Sequence, residues 1–401
     1  MNNDIFIMIP CHVEENFSTI TELKVNTCEY SEKYLKTLNK ITKSEIVDRF
    51  SKSFQRYFLG EQVLEVLSDE CDDDFEDKPT IEEVNIRLFL SGCEKNRLAV
   101  LTVVINDYKG NPTTILDQVT REEIAIKGKK RLEIGEFVFN NFNLIKNGEA
   151  KVCLIQNEKS SDEEILYYMA QETSASDLTD LSNTKIISDS YYKLARDNVA
   201  VYDFSDIYVS TSVIYQVIYE LDFETKLYYE GLLIFIVELL VMQLSAVYRT
   251  NNKVQKALEE NQSISVKNYE IFSNEFANTL SIWQINIYRY NGAQTVANTI
   301  AERFEIDKVR ENYKQNDELL QNIINTRNVK NAMKESNILF YVAILLFTKD
   351  FYLIVKSIVL FLLGNQDFEF SDFFALPTSI VTLLFVLLIY HGRFKTLGKK
   401  R

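Results

Sequence analysis

Residues 127–131 read KGKKR, the densest basic cluster ahead of the apolar C-terminal segments. Lysines and an arginine beside a glycine that leaves backbone N–H groups accessible suit a phosphate. Lys127, Lys129, Lys130 and Arg131 equally suit a charged loop in water. Lys349 and Lys356 stand seven residues apart inside an apolar stretch, so a helix places them on nearly one face, with Asp350 beside the first. In one reading the two lysines line a water-filled path and oppose divalent cations. In the other, Lys349 and Asp350 sit at a membrane interface while Lys356 snorkels or enters a helix contact. The acidic run ECDDDFEDK at 70–78 lacks the alternating ligands and the bend glycine of a calcium loop, and is expected to be a solvated surface loop.

Other chemistries are poorly provided for. His12 and His391 are the two histidines, and the five cysteines (Cys11, Cys28, Cys71, Cys93, Cys153) form no Cys-x-x-Cys pair, so they read as reduced structural thiols. There is no Walker-type glycine loop, nucleophile elbow, His-Glu-x-x-His or metal-spaced Cys/His set. No catalytic residue is assigned, and an enzyme is the least supported class. A net charge of −14 over 401 residues argues against a general nucleic-acid surface; an anionic ligand needs a local basic pocket. The apolar run near Met1 is short and preceded by Asp4 rather than by basic residues, unlike a signal peptide.

The elements that must position these groups read, in order, as strands first and long helices afterwards. Residues 4–12 predict a buried strand ending near Pro10, and recurring apolar residues predict a helix over 43–65 (Ile46, Val47, Phe50, Phe54, Tyr57, Phe58). Residues 85–90 and 98–106 predict a hairpin, and KGNP at 109–112 a turn. Further strands are expected at 137–142, 150–156 and 199–202, and helices at 163–172 and 189–196. This is an α+β or α/β pattern. Residues 227–249 form a strongly apolar helix, but Glu238 near its centre makes membrane insertion cost about 2.5 kcal/mol or more, which favours a buried core helix. Residues 265–300 predict another long helix, its aromatics and Trp283 spaced for packing.

From Glu302 no helix breaker intervenes until Gly364, a helix on the order of 90 Å. Ile306, Val309, Tyr313, Asn316, Leu320, Ile323 and Arg327 follow a seam spacing that suits either a polar axis between several copies or an ordinary bundle face. Residues 338–363 and 373–390 each approach the ~20 residues that cross ~30 Å of hydrocarbon. Arg327, Lys330 and Lys334 precede the first and Arg393, Lys395, Lys399, Lys400 and Arg401 follow the second, while the connection carries Asp367, Glu369 and Asp372. That asymmetry places both termini in the cytoplasm and the turn outside. The expected division is a cytoplasmic mixed domain (1–215), a helical region and stalk (216–335), a first span (336–363), an external loop (364–377), a second span (378–392, beginning as early as 373) and a basic tail (393–401).

This order of parts, with GNQDFEFSDFFALP at 364–377, resembles the CorA superfamily of two-span metal-ion channels. Gly364 and Asn365 supply the glycine and asparagine of that family's Gly-Met-Asn signature, with no methionine between them, and the resemblance makes them the pore or selectivity candidates with Lys349 and Lys356. The CorA-like build with an altered signature is similar to the membrane effectors that accompany type III CRISPR systems. That resemblance implies a homo-oligomer, a pentamer, in lipid of the inner membrane, whose cytoplasmic domain binds an adenylate-type nucleotide and then permeabilises the membrane. It assigns phosphate to Lys127, Lys129, Lys130 and Arg131, and a base or second phosphate to Tyr191, Tyr192 and Arg196; interior packing is the other reading of the tyrosines. Two further functions stand beside it: a divalent-cation transporter handling Mg2+ or cobalt, and a membrane-anchored structural or adaptor protein.

Overall fold

A computed structural model describes residues 3–13, 27–45, 54–68, 80–93, 97–121, 123–128, 132–157, 161–171, 184–219, 221–259, 288–362, 377, 380 and 381. The chain divides into two compact units, Met1–Glu318 and Leu319–Arg401. The first is a mixed α+β unit built on a ten-stranded sheet. Its strands are β1 (Asn3–Val13), β2 (Phe54–Ser68), β3 (Thr80–Cys93), β4 (Leu98–Tyr108), β5 (Ala125–Ile126), β6 (Leu132–Glu133), β7 (Leu144–Lys146), β8 (Lys151–Gln156), β9 (Ser205–Val209) and β10 (Val213–Ile218). They run in the order β6-β5-β2-β3-β4-β1-β8-β10-β9, with β7 also pairing β1. The expected 85–90/98–106 hairpin is β3 and β4, antiparallel from Cys93↔Leu98 to Arg87↔Val104. The β8–β10 pair is parallel. Its long connection accommodates the crossover that parallel strands require.

The sheet is buried on both faces because its strands are apolar at odd and even positions alike. In β1, Ile5, Ile7, Ile9 and Cys11 enter one core, and Phe6 and Met8 the other. The second core is roofed by α1 (Glu29–Glu45), α6 (Phe223–Glu259), α7 (Asn291–Arg303) and the start of α8 (Ile306–Leu362); the first is covered by α2 (Pro112–Thr120), α3 (Ile134–Phe142) and α4 (Glu163–Gln171), with α5 (Thr184–Arg196) alongside. Gly231 lets α6 lie close on α1: a Cβ there would stand 2.8 Å from Ile41 Cδ1.

Four local expectations are corrected. The helix over 43–65 is replaced by the end of α1 and by strand β2, with 46–53 outside the described residues. The strand also carries a bulge: pairing to β3 shifts between Phe58 and Gly60, where Gly60 has φ 108°. The extra residue reverses which parity faces which core, so Phe54 and Phe58 serve one face and Leu64 and Val66 the other. The helix-like spacing of Phe54, Tyr57 and Phe58, all ahead of the bulge, arises because β2 packs on both faces, Phe54 and Phe58 in one core and Tyr57 against the other. Second, β1 continues past Pro10 to Val13. Pro10 O accepts from Asn147 N at 2.7 Å, so the proline's missing N–H points to that same edge, where β8 has ended and β7 has not begun; no ladder bond is lost.

Third, residues 137–142 belong to helix α3, closed by Asn143 in the left-handed region (φ 51°, ψ 40°), where asparagine is tolerated. Fourth, residues 199–202 are not a strand; Val199 N bonds Ile207 O of β9 at 2.9 Å instead. Of the expected helix at 265–300, α7 is its C-terminal part, and residues 260–287, Trp283 included, lie outside the described residues. The acidic run at 70–78 lies outside them as well.

The helix at 227–249 is the core of the unit. Its 18-residue apolar window is 89% buried. Glu238, at its centre, meets Arg56 of β2: Glu238 Oε2 accepts from Arg56 Nη2 at 2.9 Å and Nε at 3.2 Å, both side chains being 1% exposed. Ser91 Oγ of β3 donates to Glu238 Oε1 at 2.7 Å, and Arg56 Nη1 donates to Thr42 Oγ1 at 2.7 Å and Leu38 O at 3.3 Å of α1. The guanidinium also lies over the Phe54 ring, 4.5 Å from its centroid. Removing one partner from such a pair strands the other charge. Glu238→Ala is therefore expected to destabilise the first unit by about 3–5 kcal/mol, and Arg56→Met with Glu238→Leu by clearly less. Urea titration of the full chain in detergent, read by labelling of the buried Cys153 thiol, checks both.

Candidate functional site

The sequence-predicted ligand residues fall in different places. Lys127 follows the two-residue strand β5; its N–H donates to Val63 O at 2.8 Å, and its ammonium is ion-paired with Glu83 of β3. Both side chains are about half exposed, so the pair contributes little to stability and is open to exchange with an anion. Lys129, Lys130 and Arg131 lie outside the described residues.

Tyr191, Tyr192 and Arg196 stand on α5, beside β9 and so at the opposite end of the strand order from β5. Tyr191 packs against the ring of Tyr167 on α4 at 6.1 Å and joins the core on that face. Tyr192 is exposed and turned 67° to Tyr191, and Arg196, one turn on, is also exposed. Tyr192 and Arg196 thus share a helix face that offers an aromatic surface next to a cation. Lys127 is not brought to them.

The stalk residues lie on α8, a single helix that passes from the first unit into the second. Within the first unit the seam packs on its own chain: Ile306 and Tyr313 are buried, and Asn316 Nδ2 donates to Asn251 Oδ1 of α6 at 2.7 Å. At this level the bundle face is the reading observed. Further along, Lys349 and Asp350 are exposed, and Lys356 Nζ lies over the Tyr352 ring, 5.8 Å from its centroid. Gly364 and Asn365 lie outside the described residues. Across Ala332–Leu362 the apolar window has the same hydropathy class as that of α6, yet 0% of it is buried. Ile338, Leu339, Phe347, Phe361 and Leu362 are all more than half exposed.

Two polar clusters went unrecognised in the sequence. At one end of β1, Glu230 of α6 is buried against Lys226 Nζ (3.0 Å), which also faces Asp4 at 3.7 Å. Burial, reinforced by the Asp4 charge, pushes the Glu230 carboxyl up to about 7. Burial works against the Lys226 ammonium, but the carboxylates of Glu230 and Asp4 hold it above its usual range. Near the other end, His12 Nδ1 bonds Asn147 Oδ1 at 2.9 Å, and burial with the nearby Arg249 charge pulls the imidazole down to about 4. Only the i, i+4 spacing of Lys226 and Glu230 on an apolar helix was a visible signal; the rest is assembled by the sheet. Among the described residues no group of three or more His, Cys, Asp or Glu could hold a metal ion.

No protein-family model, curated protein or solved structure matches the chain.

The two titrations oppose each other. Glu230, raised above its unfolded value, contributes stability that is complete below pH 4.5 and lost as the pH rises through about 7, on the order of 3 kcal/mol at most. His12, depressed, contributes stability present above pH 6.5 and lost as the pH falls through about 4. Glu230→Gln is expected to remove the decline in thermal midpoint between pH 5 and 8, and His12→Gln to soften the decline between pH 6.5 and 4. Melting curves of the full chain in detergent across that range check both signs.

Proposed function

We propose that the chain is a ligand-responsive membrane ion channel of CorA-like build, working as a homo-oligomer with both termini on the cytoplasmic side of the inner membrane. One observation carries this reading: the apolar part of α8 is as hydrophobic as a core helix but has none of its window buried. Left in water, such a continuous apolar surface far exceeds what soluble monomers expose. A bilayer removes that cost, and a helix of this length can span it. The exposed Ile380 and Val381 belong to the region read as a second span. The resemblance at 364–377 supplies the CorA-like hairpin, the pentamer and the division into cytoplasmic body, stalk, spans and tail.

Gating by an adenylate-type nucleotide rests on the same resemblance, and on groups suited to one: the Tyr192–Arg196 face of α5, and Lys127, whose exposed ion pair an incoming phosphate can displace. Since Lys127 and α5 stand at opposite ends of the sheet, a single compact nucleotide engages one or the other. Lys349 and Lys356 then carry fixed positive charge toward the ion path, disfavouring Mg2+.

The test is flux through the purified chain in liposomes, with magnesium, potassium and chloride followed separately and adenylate second messengers added on either side. Flux that appears only with nucleotide is expected, together with a severalfold shift toward cations when Lys349 and Lys356 are both replaced by alanine. Steady magnesium flux without nucleotide would restore the divalent-cation transporter, and silence under every condition would leave a membrane anchor.

A further inference from the structure

Lys349 and Asp350 of α8 are both exposed, and neither has an ion-pair partner among the described residues. Residues 338–347 before them and 351–355 after them carry no charge. Sequence neighbours do not face each other on a helix, so the two cannot satisfy one another within a chain. The positions that do face them, three and four residues away on either side, are all apolar or aromatic. Lys356 lies over the Tyr352 ring and, six positions on from Asp350, is about 120° round the helix from it. The other apolar stretch, 373–390, holds no charged residue at all.

Their depth bars escape to water. Within the 31-residue apolar stretch Ala332–Leu362, both stand more than three turns, about 16 Å, from either end. An aspartate side chain is too short to reach the surface from there. A charge held at that depth pairs with its opposite or faces a watery cavity. Here both signs stand side by side on one helix, so a second copy of the same helix brings the complement of each.

Direction decides how the copies meet. Adjacent helix positions point about 100° apart, so the lysine and the aspartate aim at different neighbours. In a closed ring of head-to-tail contacts, the two neighbours of any member lie about 108° apart for five members and about 90° for four.

We propose that Lys349 of each copy pairs with Asp350 of the next, closing a ring of alternating charges between parallel α8 helices. The inference rests on the homo-oligomeric membrane reading above and supplies its interface. At this level the path is ringed by both signs, and Lys356, two turns beyond Lys349, adds positive charge alone.

Two differently tagged forms of the full chain, Lys349→Cys and Asp350→Cys, are co-expressed, purified in detergent and treated with a short bismaleimide, and the linked peptides are read by mass spectrometry. Bridges between position 349 of one form and position 350 of the other should outnumber 349–349 and 350–350 bridges about fivefold, because a heterologous contact joins unlike positions. A second readout needs no cysteine. Lys349→Asp should lower the oligomer fraction severalfold by light scattering, and adding Asp350→Lys, which reverses every pair in the ring, should restore it. An oligomer without the 349–350 preference, or one indifferent to Lys349→Asp, overturns the ring and leaves the membrane reading in place. A native chain that is monomeric in detergent overturns both the ring and the homo-oligomer.

Discussion

The Arg56–Glu238 pair ties together parts of the first unit that lie far apart in sequence. Its two charges come from a strand and a helix separated by 182 positions, with Ser91 of β3 and the α1 groups Leu38 and Thr42 completing the coordination. An ion pair this deeply buried adds little net stability by itself, because desolvation offsets most of the attraction. Its weight is in specificity. Rotating or sliding α6 by one residue would leave a carboxylate and a guanidinium inside an apolar layer, and no neighbouring register supplies the same set of partners. The helix, the long hairpin strands and α1 are therefore held in one relation.

That constraint also separates two helices that composition alone treats alike. α6 and the C-terminal part of α8 both pass the length and hydropathy test for a membrane span. α6 carries Glu238 at its centre and Glu230 and Lys226 before it, and each finds a partner in the sheet or on its own face. The apolar part of α8 carries Lys349, Asp350 and Lys356 among exposed apolar residues, with Lys356 resting on Tyr352. Charged groups inside α6 are enclosed by protein; those on α8 remain at its surface.

The candidate ligand groups show what spacing cannot convey. KGKKR is a compact cluster in sequence, yet Lys127 is already engaged by Glu83 across two strands, and the tyrosines of α5 stand at the other edge of the sheet. Tyr191 and Tyr192 are neighbours in sequence with opposite fates, one packed on Tyr167 and one open, because adjacent helix positions point about 100° apart.

The sequence by itself determined the strand-then-helix order, the β3–β4 hairpin, the continuous helix through 306–362 and the core placement of α6, since alternation, turn residues and a mid-helix carboxylate act locally. Only the tertiary structure decided that 54–68 is a strand, because packing on both faces hides its period of two and pairing with β3 outweighs local preference. The tertiary structure also decided which polar residues meet: Arg56 with Glu238, Asp4 with Lys226, His12 with Asn147. Long-range pairs like these depend on sheet order and register, which belong to the whole chain and leave no periodic trace in any one segment.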